Sequence, residues 1–210
     1  NVKGLVGHNK KQTFHTICKT LRDTLGYNIT YRILNAKDFG VPQNRERIYI
    51  IGFKDPSDFE FPEPPYTPTK VGDILESKTD KIFTLTDHQW KYHQDRKAKM
   101  KAKGYGFGYS LFNKDSIYTS TISARYHKDG SEIFIAQKNK NPRKLTPREA
   151  ARLQGFPDSF KIPVSNTQAY RQFGNSVAVP VIRSIAHNML ISLGVLKNKT
   201  RKAGQLKIKI

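Results

Sequence analysis

Gln43, Arg45 and Arg47 stand at alternate positions leading into the apolar run Ile48-Tyr49-Ile50-Ile51-Gly52-Phe53. On extended backbone, alternate side chains share a face, so one amide and two guanidiniums are expected to project together while Asn44, Glu46 and Ile48 take the other face. Two guanidiniums at the start of a buried strand are costly unless they meet an anion or a polar ligand, and the planar fork of Arg suits both. The competing arrangement is an ion pair with Glu46, Asp38 or another carboxylate. A second group, Phe173-Gly174-Asn175-Ser176-Val177, places small and polar residues where backbone could approach a ligand; a plain connection with Gly174 as a helix C-cap is the other reading.

Gly104-Tyr105-Gly106-Phe107-Gly108-Tyr109 alternates glycine with flat rings that suit sugars or bases, or equally a turn in a small core. No Gly-Lys-Ser/Thr follows it, so it is not a phosphate loop. Lys97, Lys99, Lys101, Lys103, Arg125, His127 and Lys128 surround it in sequence as an expected phosphate-contacting surface. Cys18 lies mid-helix and reads as a small core residue rather than a nucleophile. The histidines at 8, 15, 88, 93, 127 and 187 lack metal-ligand spacing, so no metal is expected.

The elements that must position these groups follow from periodicity and punctuation. Phe14, Ile17, Cys18, Leu21 and Leu25 recur at helical spacing, predicting a helix over residues 13 to 25 that Gly26 ends. Strands are expected over 27 to 34 and 47 to 53, and five prolines between 55 and 68 suggest a linker with a boundary near residue 60. A polar, basic helix is expected over 86 to 103, followed by short strands near 109 to 112, 117 to 123 and 132 to 136. Thr146-Pro147-Arg148-Glu149 is a capping box with Pro at the first helical position, so a helix must start there; Gly155 and Pro157 stop it. A short helix over 167 to 173 is expected to end at Gly174, and a longer one from Pro180 to bury Val181, Ile185, Met189 and Leu193.

Taken together, the motifs resemble those of C5 cytosine DNA methyltransferases, most nearly bacterial enzymes of the Dcm type. Pro42-Gln43-Asn44-Arg45-Glu46-Arg47 resembles the family's Gln-x-Arg-x-Arg motif. Arg143-Lys144-Leu145-Thr146-Pro147-Arg148-Glu149-Ala150-Ala151-Arg152-Leu153-Gln154-Gly155-Phe156-Pro157 resembles its penultimate motif, and Gln168-Ala169-Tyr170-Arg171-Gln172-Phe173-Gly174-Asn175-Ser176-Val177 its last. Asn1-Val2 resembles the end of its Glu-Asn-Val motif. The resemblance implies a flipped cytosine attacked at C6 by a cysteine thiolate, a Glu at N3, and methyl transfer to C5 from S-adenosylmethionine (SAM). It further implies that Arg47 hydrogen-bonds the flipped base, that Arg45 and Gln43 support the active-site geometry, and that Asn175, Ser176 and Val177 line one wall of the SAM pocket.

The fold implied is α/β: the C-terminal part of a Rossmann-like methyltransferase sheet (residues 1 to 59), a small β-rich target-recognition domain (60 to 165), helices returning to the catalytic domain (166 to 196) and a basic tail (197 to 210). Thr119 to Gly130 resembles the family's Thr-Leu recognition core, with Ile122 as a conservative change; sites containing CCNGG or CCGG are implied. Thr121, Arg125, Tyr126 and Lys128, with Lys101 and Lys103, are the expected DNA contacts, Arg125 suiting a guanine edge in the major groove.

Composition agrees: 37 Lys+Arg against 17 Asp+Glu give +20 in 210 residues, which calls for a polyanion partner. A single cysteine excludes an internal disulfide and a cysteine-based zinc finger, and no run approaches the ~20 apolar residues of a membrane span. A cytoplasmic bacterial protein is expected. The nucleophile loop, the Glu and the Gly-rich SAM turn are not among these 210 residues, so the chain is expected to be a C-terminal portion, inactive alone, needing an N-terminal half or partner subunit. A stand-alone or split-subunit DNA-binding module is the alternative. Self-association through a bare strand edge at 47 to 53 is also expected.

Overall fold

The structure is a computed structural model that describes residues 1 to 197. The expected basic tail lies outside the described residues from position 198 on. Helix α1 (Gln12–Lys19) buries Phe14 and Cys18, and its hydrogen bonding widens into a π turn over Thr20–Thr24 before Gly26, at φ +65°, reverses the chain. Strands β1 (Asn28–Asn35) and β2 (Glu46–Phe53) then pair antiparallel from Asn28 against Phe53 to Asn35 against Glu46. Because side chains alternate across this ribbon, one face packs Ile29, Ile48 and Ile50 against α1. The other packs Leu34, Tyr49 and Ile51 against helix α6 (Val179–Ser192), whose Val181 and Ile185 are buried. Leu193, expected in that core, is 58% exposed because α6 ends one residue earlier.

The outer edge of β2 is not wholly bare, contrary to expectation. Val2 bridges Arg47, and Asn1 exchanges backbone hydrogen bonds with Ile48 at 2.7 and 2.9 Å. Beyond Ile48 no described residue pairs with that edge.

The proline-rich stretch carries no helix or strand until the short 3-10 turn Val71–Ile74. Helix α2 (Asp87–Ala102) follows, started by a Thr86/Gln89 capping box. A small sheet joins β3 (Leu111–Phe112) parallel to β4 (Phe134–Gln137) and β4 antiparallel to β5 (Lys140–Lys144). β5 is an unexpected strand, polar and lysine-rich. Residues 117 to 123, expected as a strand, form no ladder; Thr119 alone bridges, to Gln43. Helix α3 (Tyr126–Asp129) is a single turn closed by Gly130.

Helix α4 (Pro147–Leu153) starts at the Thr146 capping box as expected. Helix α5 (Asn166–Asn175) runs through Gly174, so this glycine is a helical residue and not a C-cap. Ala150, Leu153, Ala169, Tyr170 and Phe173 of these two helices share one core with Val71, Ile122, Tyr126 and Ile133. The chain therefore leaves the β-rich module only after α5, and α6 alone of these helices packs on the two-stranded sheet.

Candidate functional site

Residues 42 to 45, just before β2, form the seam between sheet and module. The Thr119 amide donates to the Pro42 carbonyl (2.8 Å), the Asn44 amide to the Thr119 carbonyl (2.9 Å) and the Thr121 hydroxyl to the Asn44 carbonyl (2.7 Å). Gln43 is fully buried, so its amide must be satisfied internally. Its Nε2 donates to the Leu153 carbonyl (3.0 Å) and to Gln154 Oε1 (3.2 Å), while its Oε1 accepts from the Ile122 amide (3.1 Å). Gln154, also fully buried, donates onward to the Phe173 carbonyl at 2.6 Å.

Arg45 completes the junction. Its guanidinium is 4% exposed and donates to the carbonyls of Ile122 (3.0 Å), Gly174 (3.0 Å) and Ser176 (2.7 Å); its Nε has no partner. Burial, and secondarily the neighbouring Arg47 charge, pull it down to about 10, which still leaves it charged at neutral pH. Arg47 is half-buried, donates from Nη1 to its own residue's neighbour, the Glu46 carbonyl (2.8 Å), and is likewise lowered by burial. Neither arginine forms an ion pair among the described residues; Glu46 takes Lys3 instead, at 2.9 Å. Of the two arrangements read from sequence, the ion pair is absent and backbone carbonyls hold the charge.

Asn175, Ser176 and Val177 form the end of α5 and the turn after it. The Ser176 carbonyl points inward to Arg45, while Asn175 is exposed and Val177 is 46% exposed. The turn thus presents an open amide beside an open apolar side chain, with its backbone pinned from behind. Gly174 faces the other way: a Cβ there would overlap the backbone of Ser123 and Ala124, so the close approach that requires glycine is to that segment of the chain, not to a ligand.

Among the expected DNA contacts, Arg125, Lys128, Lys101 and Lys103 are exposed, and Thr121 is half-buried with its hydroxyl committed to Asn44. Tyr126 is a correction. It is fully buried, donates its hydroxyl to the Ile133 carbonyl and accepts from the Leu145 amide, both at 2.7 Å, so it is a core strut that cannot touch DNA. Burial accordingly pushes its phenol pKa up.

Two polar groups escaped the sequence reading although they lie inside the quoted motifs. Gln154 is one; a glutamine closing an otherwise apolar helix face was its signal. The other is Glu149, fully buried, which accepts both guanidinium nitrogens of Arg143 at 2.7 Å as well as the amides of Thr146 and Glu76. Its capping role was legible, its ion pair was not.

The model of C-5 cytosine-specific DNA methylases matches residues 1 to 190, through every element of this junction. The chain belongs to that family. It is 60% identical over 198 residues to the Type II methyltransferase M.SsoII of Shigella sonnei, covering 92% of this chain and 52% of that protein. The Type II methyltransferase M.HpaII of Haemophilus parainfluenzae is 42% identical, over 93% and 60% respectively. The chain thus spans about half to two thirds of the length of such relatives. Among solved structures, the Entamoeba histolytica methyltransferase EhMeth superposes with a TM-score of 0.70 at 21% identity, over 88% of this chain and 59% of that one. Schizosaccharomyces pombe Dnmt2 does so at 0.70 and 19%, over 93% and 66%. These likenesses bear out the α/β methyltransferase fold. No helix among the described residues of this family member is long and apolar enough to cross a membrane.

Proposed function

We propose that this chain is the DNA-reading portion of a SAM-dependent DNA cytosine-C5 methyltransferase of a bacterial restriction-modification system. Arg45 carries the reading: one buried guanidinium fixes both the recognition segment, at Ile122, and the turn after α5, at Gly174 and Ser176. A module that merely bound DNA would have no use for holding that turn in register with its reading loop. SAM, when bound, supplies the methyl group for cytosine C5. Asn175, Ser176 and Val177 would form one wall of its site, Gln43 and Arg45 hold that wall against the recognition segment, and Arg47 offers its remaining guanidinium donors to a flipped cytosine. Arg125, Lys128, Lys101 and Lys103 would contact duplex DNA, and residues 60 to 165 would carry the target recognition.

The nucleophile must come from a catalytic half in the same polypeptide or a partner subunit. The single cysteine here, Cys18, is 7% exposed among Phe14 and Ile48 and cannot reach a base. Incubating the 210-residue chain with duplex DNA and radiolabelled SAM is expected to give no methyl transfer. Duplex binding is expected, with log K falling by about 0.9 per log unit of salt for each phosphate contacted. Transfer by this chain alone would overturn the division of labour, and absence of duplex binding at low salt would overturn the DNA-reading role.

A further inference from the structure

Residues 104 to 108 present two aromatic rings that neither the cores nor the junction uses. Tyr105 and Phe107 are 55% and 54% exposed, with ring centroids 5.4 Å apart and planes inclined by 33°. Paired aromatics left in water forgo about 25 cal/mol for each Å² of apolar surface that burial would have removed, and such patches mark contact sites. The tip has room to adjust, because nothing lies within 4 Å of where a Cβ would stand at Gly104 or Gly106.

The root, by contrast, is fixed. Gly108 has no room for a Cβ beside the Lys97 stem, whose ammonium lies 4.2 Å from the Tyr109 ring centroid and donates to the Tyr109 carbonyl at 3.1 Å. Tyr109 meets Trp90 edge to face at 4.7 Å. Ser110 donates its amide to Ser131 (2.9 Å), accepts from the Phe134 amide (2.9 Å) and meets the Ser120 hydroxyl at 3.5 Å. Ser120 adjoins Thr121, so the loop rises from the recognition segment itself. Phe107 stands three positions before Ser110, a reach of at most ~10 Å, or about three base steps of ~3.4 Å.

Exposed Lys99, Lys101 and Lys103 stand immediately before the rings. Exposed cations next in sequence to exposed rings complement a ligand that alternates phosphates with π surfaces, which is the chemistry of DNA and not of an apolar protein patch. We propose that Tyr105 and Phe107 form a stacking wedge against DNA bases flanking the recognised site, with Lys101 and Lys103 holding the adjoining phosphates. The inference rests on the DNA-reading role proposed above.

The test compares wild-type chain, the double variant Tyr105→Ala/Phe107→Ala, the aromatic swap Tyr105→Phe/Phe107→Tyr, and Lys101→Ala/Lys103→Ala. Each is titrated over a salt series with duplexes containing CCGG or CCNGG that carry 2-aminopurine at flanking steps. Both rings are exposed, so thermal melting should be unchanged. The alanine pair is expected to bind about tenfold or more weakly, from stacking losses of ~1–3 kcal/mol per base. Its salt slope should match wild type, and it should lose a 2-aminopurine signal that the swap retains. The lysine pair should instead lower the salt slope by about 1.8, at ~0.9 per contact. Alanine variants that bind and unstack DNA as wild type does would overturn the wedge while leaving the DNA-reading role standing. So would unchanged DNA binding with a lost self-association, which would make the patch a protein contact. A wild-type chain that binds no duplex would remove both.

Discussion

Arg45 shows how a charge can be buried without a counter-charge. Several kcal/mol of desolvation oppose it, and three charge-assisted hydrogen bonds of ~1.5–3 kcal/mol each offset that cost. Lys in its place would be charged too, but a tetrahedral ammonium on a different stem cannot serve three carbonyls arranged around a planar fork. Arg45→Lys is therefore expected to lower unfolding stability by about 3 kcal/mol, read as a fall in the urea midpoint. A midpoint close to wild type would show that these carbonyls do not depend on the fork. The sequence made the donors legible: alternation put Gln43 and Arg45 together and flagged Arg as costly there. It could not name the acceptors, because Ile122, Gly174 and Ser176 lie 77, 129 and 131 residues away. Tyr126 failed for the converse reason. Among Arg125, His127 and Lys128 it looked like part of a polar surface, whereas a one-turn helix closed by Gly130 rotates it alone into the core.

Among the elements, those with strong local chemistry or an apolar run were readable, as β1 and β2 were, and a polar strand made only by tertiary pairing was not. The Thr146 box, Pro147 and Glu149 specify the start of α4 through a few neighbouring residues. β5 has the composition of a surface turn and exists because Phe134 and Ile135 of β4 offer it a ladder. Residues 117 to 123 have strand-like composition, yet the backbone groups of Thr119 and Ile122 bond to residues 42 to 45, partly through the Gln43 and Arg45 side chains, so they are an extended seam rather than a strand. Gly174 ties these scales together. Inside an exposed helix, Gly→Ala normally stabilises by up to ~1 kcal/mol. Here the new methyl would overlap the Ser123 carbonyl and the Ala124 amide, both backbone, which cannot swing aside as a side chain would. Overpacking at ~1–3 kcal/mol should outweigh propensity. Gly174→Ala is thus expected to destabilise by about 2 kcal/mol in chemical denaturation and to weaken duplex binding, since the displaced segment leads into Arg125. A more stable variant with unaltered DNA affinity would show that α5 and the recognition segment can part without consequence.

For the molecule as a whole, two forces act oppositely on association. Antiparallel pairing alternates the direction of backbone groups, so the bonds between Ile48 and Asn1 place the amides and carbonyls of Ile50 and Gly52 on the same outer edge. Among the described residues nothing pairs with them there, and such an edge templates another strand. Against this stands a net charge of +20, which repels a second copy. At ~0.01 M salt the screening length is ~30 Å and repulsion spans the molecule; at ~1 M it is ~3 Å and local pairing decides. Self-association of this chain should therefore strengthen with salt, the reverse of its DNA binding, and pairing should protect the Ile50 and Gly52 amides from hydrogen exchange as the dimer forms. Sedimentation across that salt range, with exchange measured at both ends, checks this. A monomer throughout, with both amides exchanging freely at high salt, would mean that charge and the short Asn1–Val2 pairing suffice to keep the edge closed.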